Sequence, residues 1–460
     1  MRNLKFKSLM LIILFTTIIG IYSYMIAVQN VSVNSSKTEI TISAINPINI
    51  TSNSDFSSYA SAGDGSKGNP YIIENLVIEG PGQTDKTFCI NINNTDAYFI
   101  IRNCTMSKSY FGIWFNNVSN GAITNNIFGT QISIAVQMVN CSDINITNNF
   151  MTEKKAYGIE LINSSYNLIY NNTINGTDYD AIRLWNNSDL NNIRGNLINY
   201  TAYGPLNGYG ILIHSSLDNN ITDNEILNTK GIGISLQHCN YTNLINNTII
   251  NAKKDLYTYA IQLINTSYVI LRNCTIINNS NGIEIGDKSN HVSIEYCDII
   301  RNYFGIYIGH SNSTTIVYNL IYKNDYKGIH LEWVNNSDIK HNNISNNGND
   351  GIYMQRCRYN FIEKNNISHN SGYGLVLTNL AQNNTVTYNW FLYNKYPTIY
   401  PTNANESNTI ENNVIVHIIP PTTTTTTEPI PGFSMIIALL SLMTILIGII
   451  TKKWVKNKLF

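Results

Sequence analysis

The stretch Gly328–Asp350, GIHLEWVNNSDIKHNNISNNGND, runs straight into Gly351–Tyr373, GIYMQRCRYNFIEKNNISHNSGY. Both are 23 residues long, both open on Gly-Ile, and both carry Ile-x-x-Asn at the same offset. The same opening recurs at Cys89, Gly112, Ala135, Gly158, Ala181, Gly210, Gly233, Ala260, Gly282, Gly305 and Gly374. The spacing is 23 residues in most units and 29, 27 or 22 in three of them. The second marker, an apolar residue followed three places later by Asn or Cys, gives fifteen rungs from Asn75 to Asn413.

A 23-residue period is too short for the helical solenoids, and the Leu-x-x-Leu-x-Leu core of leucine-rich repeats is missing. Within each unit apolar residues alternate, as in GIELI and GIEIG, which is the period of a strand, and β-branched Ile suits strands. Three short strands per unit, separated by Asn, Ser and Gly corners, predict one coil of a right-handed parallel β-helix. A coil cannot bury its interior alone, but a stack can. At ~4.8 Å per coil, fifteen rungs make a stack ~70 Å long. The Asn of Ile-x-x-Asn is expected to point inward, because stacked amides carry both donors and acceptors and satisfy one another along the axis.

The ends of the chain do not fit the repeat. Residues 1–28 pair Arg2, Lys5 and Lys7 with a long apolar run, a signal peptide or signal-anchor. Residues 29–70 are expected to hold an N-terminal strand and a capping segment, and 71–416 the β-helix. Residues 417–432 form a Thr/Pro stalk too polar to pack a core. Residues 433–450 carry no charge, and as a helix they would cover ~27 Å, enough for a bilayer core. The lysines of 451–460 place that end in the cytoplasm, so the body is expected outside the cell membrane. Charged residues make up 13%, with 29 basic against 29 acidic, so no global field draws the chain to nucleic acid. Sequons such as Asn34, Asn117 and Asn405 are expected to be glycosylated in part.

The GI-x-L strands and the I-x-x-N-x-I ladder resemble the right-handed β-helix superfamily. They are most similar to NosD-type periplasmic proteins and to archaeal surface β-helix proteins with a C-terminal membrane anchor. DFSSYASAGDGSKGNPYIIENLVIEG (55–80) resembles the capping start of the archaeal proteins, a short helix followed by the first strand. The resemblance spans about residues 40–416. It implies the fold, and it leaves activity open among lyases, hydrolases, epimerases and non-catalytic members. The NosD likeness raises copper, yet no His/Met/Cys cluster has ligand spacing; His214 with His238 and His310 with His330 only share adjacent coils. No metal or other cofactor is expected. The lyases of this fold use acidic calcium ligands with an Arg or Lys base, and the hydrolases use a trio of Asp with His and Arg-Ile-Lys. This chain follows neither pattern.

Alternation sends positions three and five of each tetrapeptide outward. Two groups of rings and charges fall at adjacent heights there: Glu160, Arg183, Trp185 and His214, and Glu284, Tyr307, His330, Glu332 and Tyr353. Trp114 lies nearer the N-terminal end. Rings stack on pyranose faces and carboxylates accept sugar hydroxyls, so these columns are candidate glycan-binding residues. Glu160 and Arg183 read equally well as a plain cross-strand ion pair. Glu160 and Glu284 are five coils apart, ~24 Å, beyond the ~5–9.5 Å of paired glycosidase carboxylates, while Glu284 and Glu332, ~10 Å apart, sit at its edge. The sequence therefore favours a surface binding or scaffolding module for glycans. The alternatives are a polysaccharide lyase or hydrolase, and an accessory protein of an extracytoplasmic metalloenzyme. The seven cysteines read as buried small hydrophobes, with Cys274 and Cys297 close enough in register to permit a disulfide.

Overall fold

The computed structural model describes residues 44–416, apart from 85, 155, 205–207, 254, 256, 379, 397–398 and 402–406. The expected signal segment, stalk, membrane helix and basic tail lie outside the described residues. Among the described residues no helix is long and apolar enough to cross a membrane.

The chain is an all-β, right-handed parallel solenoid of about 14 turns. One coil shows the plan. Ile329–Glu332 belongs to a first ladder, Asp338–Lys340 to a second and Asn343–Ser345 to a third. Each strand pairs parallel and in register with its counterpart one coil on, as Ile329 with Ile352, Ile339 with Ile362 and Ile344 with Ile367. Among the described residues the second ladder holds fifteen strands. The first and third are joined into one hydrogen-bonded sheet by the long strand Thr105–Val118, which pairs in both.

The corner chemistry explains the Ile-x-x-Asn spacing. Ile339 points into the core and Lys340 points out, His341 turns the chain at φ +57, and Asn342 points back in. The turning position is left-handed in coil after coil, at Asn125, Asn148, Asn171 and Asn246 among others. Asn tolerates that backbone better than most side chains because its amide bonds locally.

The inward Asn then forms the expected ladder. The Asn342 amide donates to Asn365 Oδ1 at 3.0 Å and to the Ile316 carbonyl at 2.8 Å, and its own Oδ1 accepts from the Asn319 backbone and amide, both at 3.0 Å. A second ladder of the same kind runs through Asn279, Asn302, Asn324, Asn347, Asn370 and Asn394 at another corner. One sequence assignment is corrected. Asn75 lies at the exposed corner in register with Asn103, and Leu76 takes the inward place, because Glu74 pairs with Arg102.

All seven cysteines are free and buried. Cys274 and Cys297 do the work of the asparagines they replace. Their thiols donate to Leu244 and Leu271 carbonyls at 3.4 and 3.7 Å, and Cys297 Sγ accepts the Cys274 N–H at 3.4 Å.

The N-terminal end is closed locally. Ile48–Ile50 pairs with Ile90–Ile92, and a 3-10 helix, Asn53–Ser58, follows. Asp55 accepts the Thr51 and Ser52 backbone N–H groups at 2.8 and 3.0 Å. That fixes Phe56 face to face with Tyr71, ring centres 4.9 Å apart, and beside Phe99 at 5.2 Å. Apolar burial at this end lets the coil interior begin without exposing its first isoleucines.

Candidate functional site

The outward column of the first ladder falls in the predicted register. Trp114 pairs with Gln137, Gln137 with Glu160, and Glu160 with Arg183. Further along, Glu284 pairs with Tyr307, Tyr307 with His330, and His330 with Tyr353. Trp185 and His214 share the second column, as do Gly309 and Glu332. The two groups differ in how far they satisfy themselves.

The first group is largely closed. Glu160, only 5% exposed, accepts from Gln137 Nε2 at 2.6 Å and lies 3.6 Å from Arg183. Arg183 also donates to the Tyr157 hydroxyl at 2.5 Å and lies 4.2 Å from the Trp185 ring centre. Trp185 stacks on His214 with centres 4.0 Å apart. Beside them Asp180 is buried, and burial pushes its carboxyl up to about 7. Trp114 packs on Phe111, centres 5.3 Å apart, and joins neither group.

The second group satisfies its polar atoms less completely. His330 meets Tyr307 and Tyr353 edge-on, with ring centres at 5.3 and 5.0 Å. Both its ring nitrogens are buried without a hydrogen-bond partner. Burial, with help from the Lys327 charge, drives its imidazole down to about 3, so the ring is neutral. Glu284 accepts from Gln262 Nε2 at 2.7 Å, and burial raises its carboxyl. Tyr307 folds over Gly309, where a Cβ would lie 2.9 Å from the tyrosine hydroxyl. Glycine at that place leaves room for the ring to reach toward Glu332.

Three contributors here were not among the expected residues: Phe304, Lys327 and Asp350, each directly before a Gly-Ile pair. Phe304 lies 5.8 Å from His330, ring to ring. Lys327 is 7% exposed and holds its ammonium 3.4 Å from the Tyr353 ring centre. Burial lowers Lys327 and raises Asp350. A signal existed. In most coils the residue before the Gly or Ala is aromatic or charged, as at Tyr157, Asp180, Tyr209, Tyr259, Phe304, Lys327, Asp350 and Tyr373, while the other corners are mostly Asn or Ser.

Two surface depressions, of about 540 and 750 Å³, lie toward the N-terminal coils, around Gly80–Gln83 with Gln131 and around Asn53 with Asn94 and Asn117. The outer face of the second ladder carries ordinary ion pairs such as Arg272–Glu295 at 2.8 Å, which contribute little.

Metal chemistry finds little here. Among the described residues no three His, Cys, Asp or Glu side chains lie close enough to hold an ion. His214 and His238 have ring centres 5.3 Å apart, with Nδ1 bonded to Ser215 Oγ and Asn265 Nδ2 at 2.9 and 2.8 Å.

A family model described as the right-handed β-helix region matches residues 16–198 and 88–230. Another, described as periplasmic copper-binding protein (NosD), matches residues 251–418. No curated protein matches the chain. Among solved structures, the A-module of an Azotobacter vinelandii mannuronan C-5 epimerase is 10% identical, covering 80% of this chain and 99% of that one, with TM-score 0.40. A periplasmic alginate epimerase is 13% identical over 76% of this chain and 86% of its own, TM-score 0.43. An alginate lyase is 15% identical over 65% and 85%, TM-score 0.42. At such identities and scores these carry no argument about chemistry. Coil, register and family models agree: the chain is a right-handed parallel β-helix, and its residues 251–418 resemble the NosD family.

Proposed function

We propose that this is a membrane-anchored, extracytoplasmic β-helix that binds glycans along the outer face of its first ladder, at Glu284, Tyr307, His330, Glu332 and Tyr353. One observation carries the reading. Consecutive coils set two tyrosines, a neutral imidazole with unpartnered nitrogens and a half-buried carboxyl side by side on an outward face. Rings offer stacking surface to a sugar, and the unpaired nitrogens are polar groups that sugar hydroxyls would satisfy. A repeat of one coil per ~4.8 Å suits an extended chain ligand better than a compact one.

The apolar segment 433–450 with its basic tail supports the anchored placement, and sequons such as Asn117 on the exposed corner would carry glycans there. A metal-accessory role, which the NosD description raises, has no cluster of three His, Cys, Asp or Glu side chains behind it among the described residues. The test is a glycan array probed with the purified full chain and with a Tyr307→Ala/Tyr353→Ala variant. Binding by the parent and loss by the variant supports the proposal. A parent that binds nothing, or a variant that binds equally, refutes it. Protease added to intact cells should release the body.

A further inference from the structure

We propose that the outer face of the third ladder docks a second copy of this chain, side by side and running the same way, around a stripe of Leu227, Ile250, Ile277, Ile300 and Tyr322. These five residues occupy one outward column in consecutive coils, each paired in register with the next. At ~4.8 Å per coil the stripe is ~19 Å tall. Strand propensity does not account for it, because the same column reads Thr152, Asn175 and Asn199 before the stripe and Ser345 and Ser368 after it. Side chains stacked this closely shield one another. Leu227 and Ile300 are buried although they point away from the core, and Ile250, Ile277 and Tyr322 show the remaining surface.

Charge decides between a second copy and a lipid surface. The neighbouring outward column of the same strands carries Glu225 and Asp298, whose carboxyls burial raises. The corner on the other side of the stripe carries Arg301 and Lys323, each directly after a stripe residue and each at a left-handed turn. Among the described residues none of these four forms an ion pair. Carboxylates on the face oppose an anionic membrane. A two-fold axis running along the stripe instead lays the acidic edge of one copy on the basic edge of the other at the same height. Asp298 then meets Arg301 of the partner subunit twice in each dimer. An axis across the stripe would set acid on acid, so only the parallel arrangement is complementary. It also leaves residue 416 of both copies at one end, which suits the anchored placement proposed above. The outer face of this ladder, about 14 turns tall and three residues wide, offers roughly 700 Å², close to the ~800 Å² that each partner gives to a stable complex.

The test is sedimentation of the full chain in mild detergent over a range of concentrations, where a dimer is expected. Asp298→Arg and Arg301→Asp each set like charges against one another and should each weaken the dimer at least about tenfold. Mixing the two variants restores opposite charges at both contacts, so the mixture should dimerise where neither variant does alone. Ile250→Cys should cross-link to its own counterpart under mild oxidant, since the native thiols are buried. A parent that is monomeric throughout overturns the proposal, and protection of Tyr322 by phosphatidylglycerol vesicles in such a monomer would assign the stripe to lipid. A dimer indifferent to both charge variants overturns it too. So does cross-linking of Ile250→Cys to Ile300→Cys but not to itself, the mark of an antiparallel pair. Sedimentation of the unaltered protein decides the matter even if a variant folds poorly.

Discussion

Lys327 holds its ammonium 3.4 Å from the centre of the Tyr353 ring, with no carboxylate at ion-pair distance among the described residues, while Asp350 and Glu332 pull on it from farther off. A fold optimised for stability alone would not keep a charge there. Burial outweighs the pull of Asp350 and Glu332 on this charge, so an apolar chain of similar length should stabilise the empty protein, even after the cation–π contact is lost, by about 1 kcal/mol. Lys327→Met is expected to unfold at a higher denaturant concentration than the parent. A lower midpoint would mean that the lysine is structural.

The Asn ladder should be expensive to break. Asn342→Leu leaves the Ile316 carbonyl and the amides of Asn319 and Asn365 short of buried partners, each costing about 1–3 kcal/mol. Asn343→Leu, one residue on and exposed, should fall within about 0.5 kcal/mol of the parent. Chemical denaturation of the two variants decides it, and equal midpoints would deny the ladder its role.

The fold was legible because each coil repeats the same inward isoleucines and the same left-handed corner, so His341 and Asn342 can be read from their neighbours. The first rung misled, since Asn75 imitates the marker while Leu76 fills the inward place. The second ladder through Asn302, Asn324 and Asn347 escaped notice because exposed corner asparagines of similar spacing surround it. Strand alternation correctly placed Glu284, Tyr307, His330 and Tyr353 in one column. It gave no direction for Phe304, Lys327 or Asp350, which sit at the corner before the strand, where alternation does not hold. Which outward group would be self-satisfied and which open depended on side-chain reach, as between Arg183 and Tyr157, and that is not a property of spacing.

The cysteines test the ladder from another side. Cys274→Asn/Cys297→Asn would continue it unbroken from Asn247 to Asn319, so the double variant is expected to be at least as stable as the parent. Thiol titration of the native parent should find almost nothing reactive, because burial pushes Cys89, Cys141 and Cys239 up to about 11 and Cys357 up to about 12. Seven thiols should react after unfolding, and fewer would reveal a disulfide.

Asp180 predicts a pH dependence with a definite sign. Its carboxyl ionises near 7 in the folded chain against an ordinary 3.8, so the folded state binds the extra proton between those values. That contribution to stability is present at low pH and is lost as pH rises through about 7. Asp180→Asn keeps an acceptor for the Tyr209 N–H, 3.0 Å away, and cannot ionise. Its melting temperature should exceed the parent's at about pH 8, and the gain should shrink toward about pH 4. His330 acts in the opposite sense, since its folded value near 3 lies below the ordinary 6.5 and stability falls as pH drops across that window. A pH-independent difference for Asp180→Asn would rule out a buried, destabilised carboxylate.

The binding face itself is tested most directly by hydroxyl-radical footprinting of the full chain with and without a glycan that it binds. Aromatic and histidine side chains report on three separate surfaces: Tyr307, His330 and Tyr353 on the first ladder; the exposed corner stacks Tyr241–Tyr268 and Tyr296–Tyr318; and Trp333 beside His310. Bound glycan is expected to protect Tyr307, His330 and Tyr353 and to leave the corner stacks and Trp333 unchanged. Protection confined to the corner stacks or to Trp333, with the first-ladder column still reactive, would contradict the account.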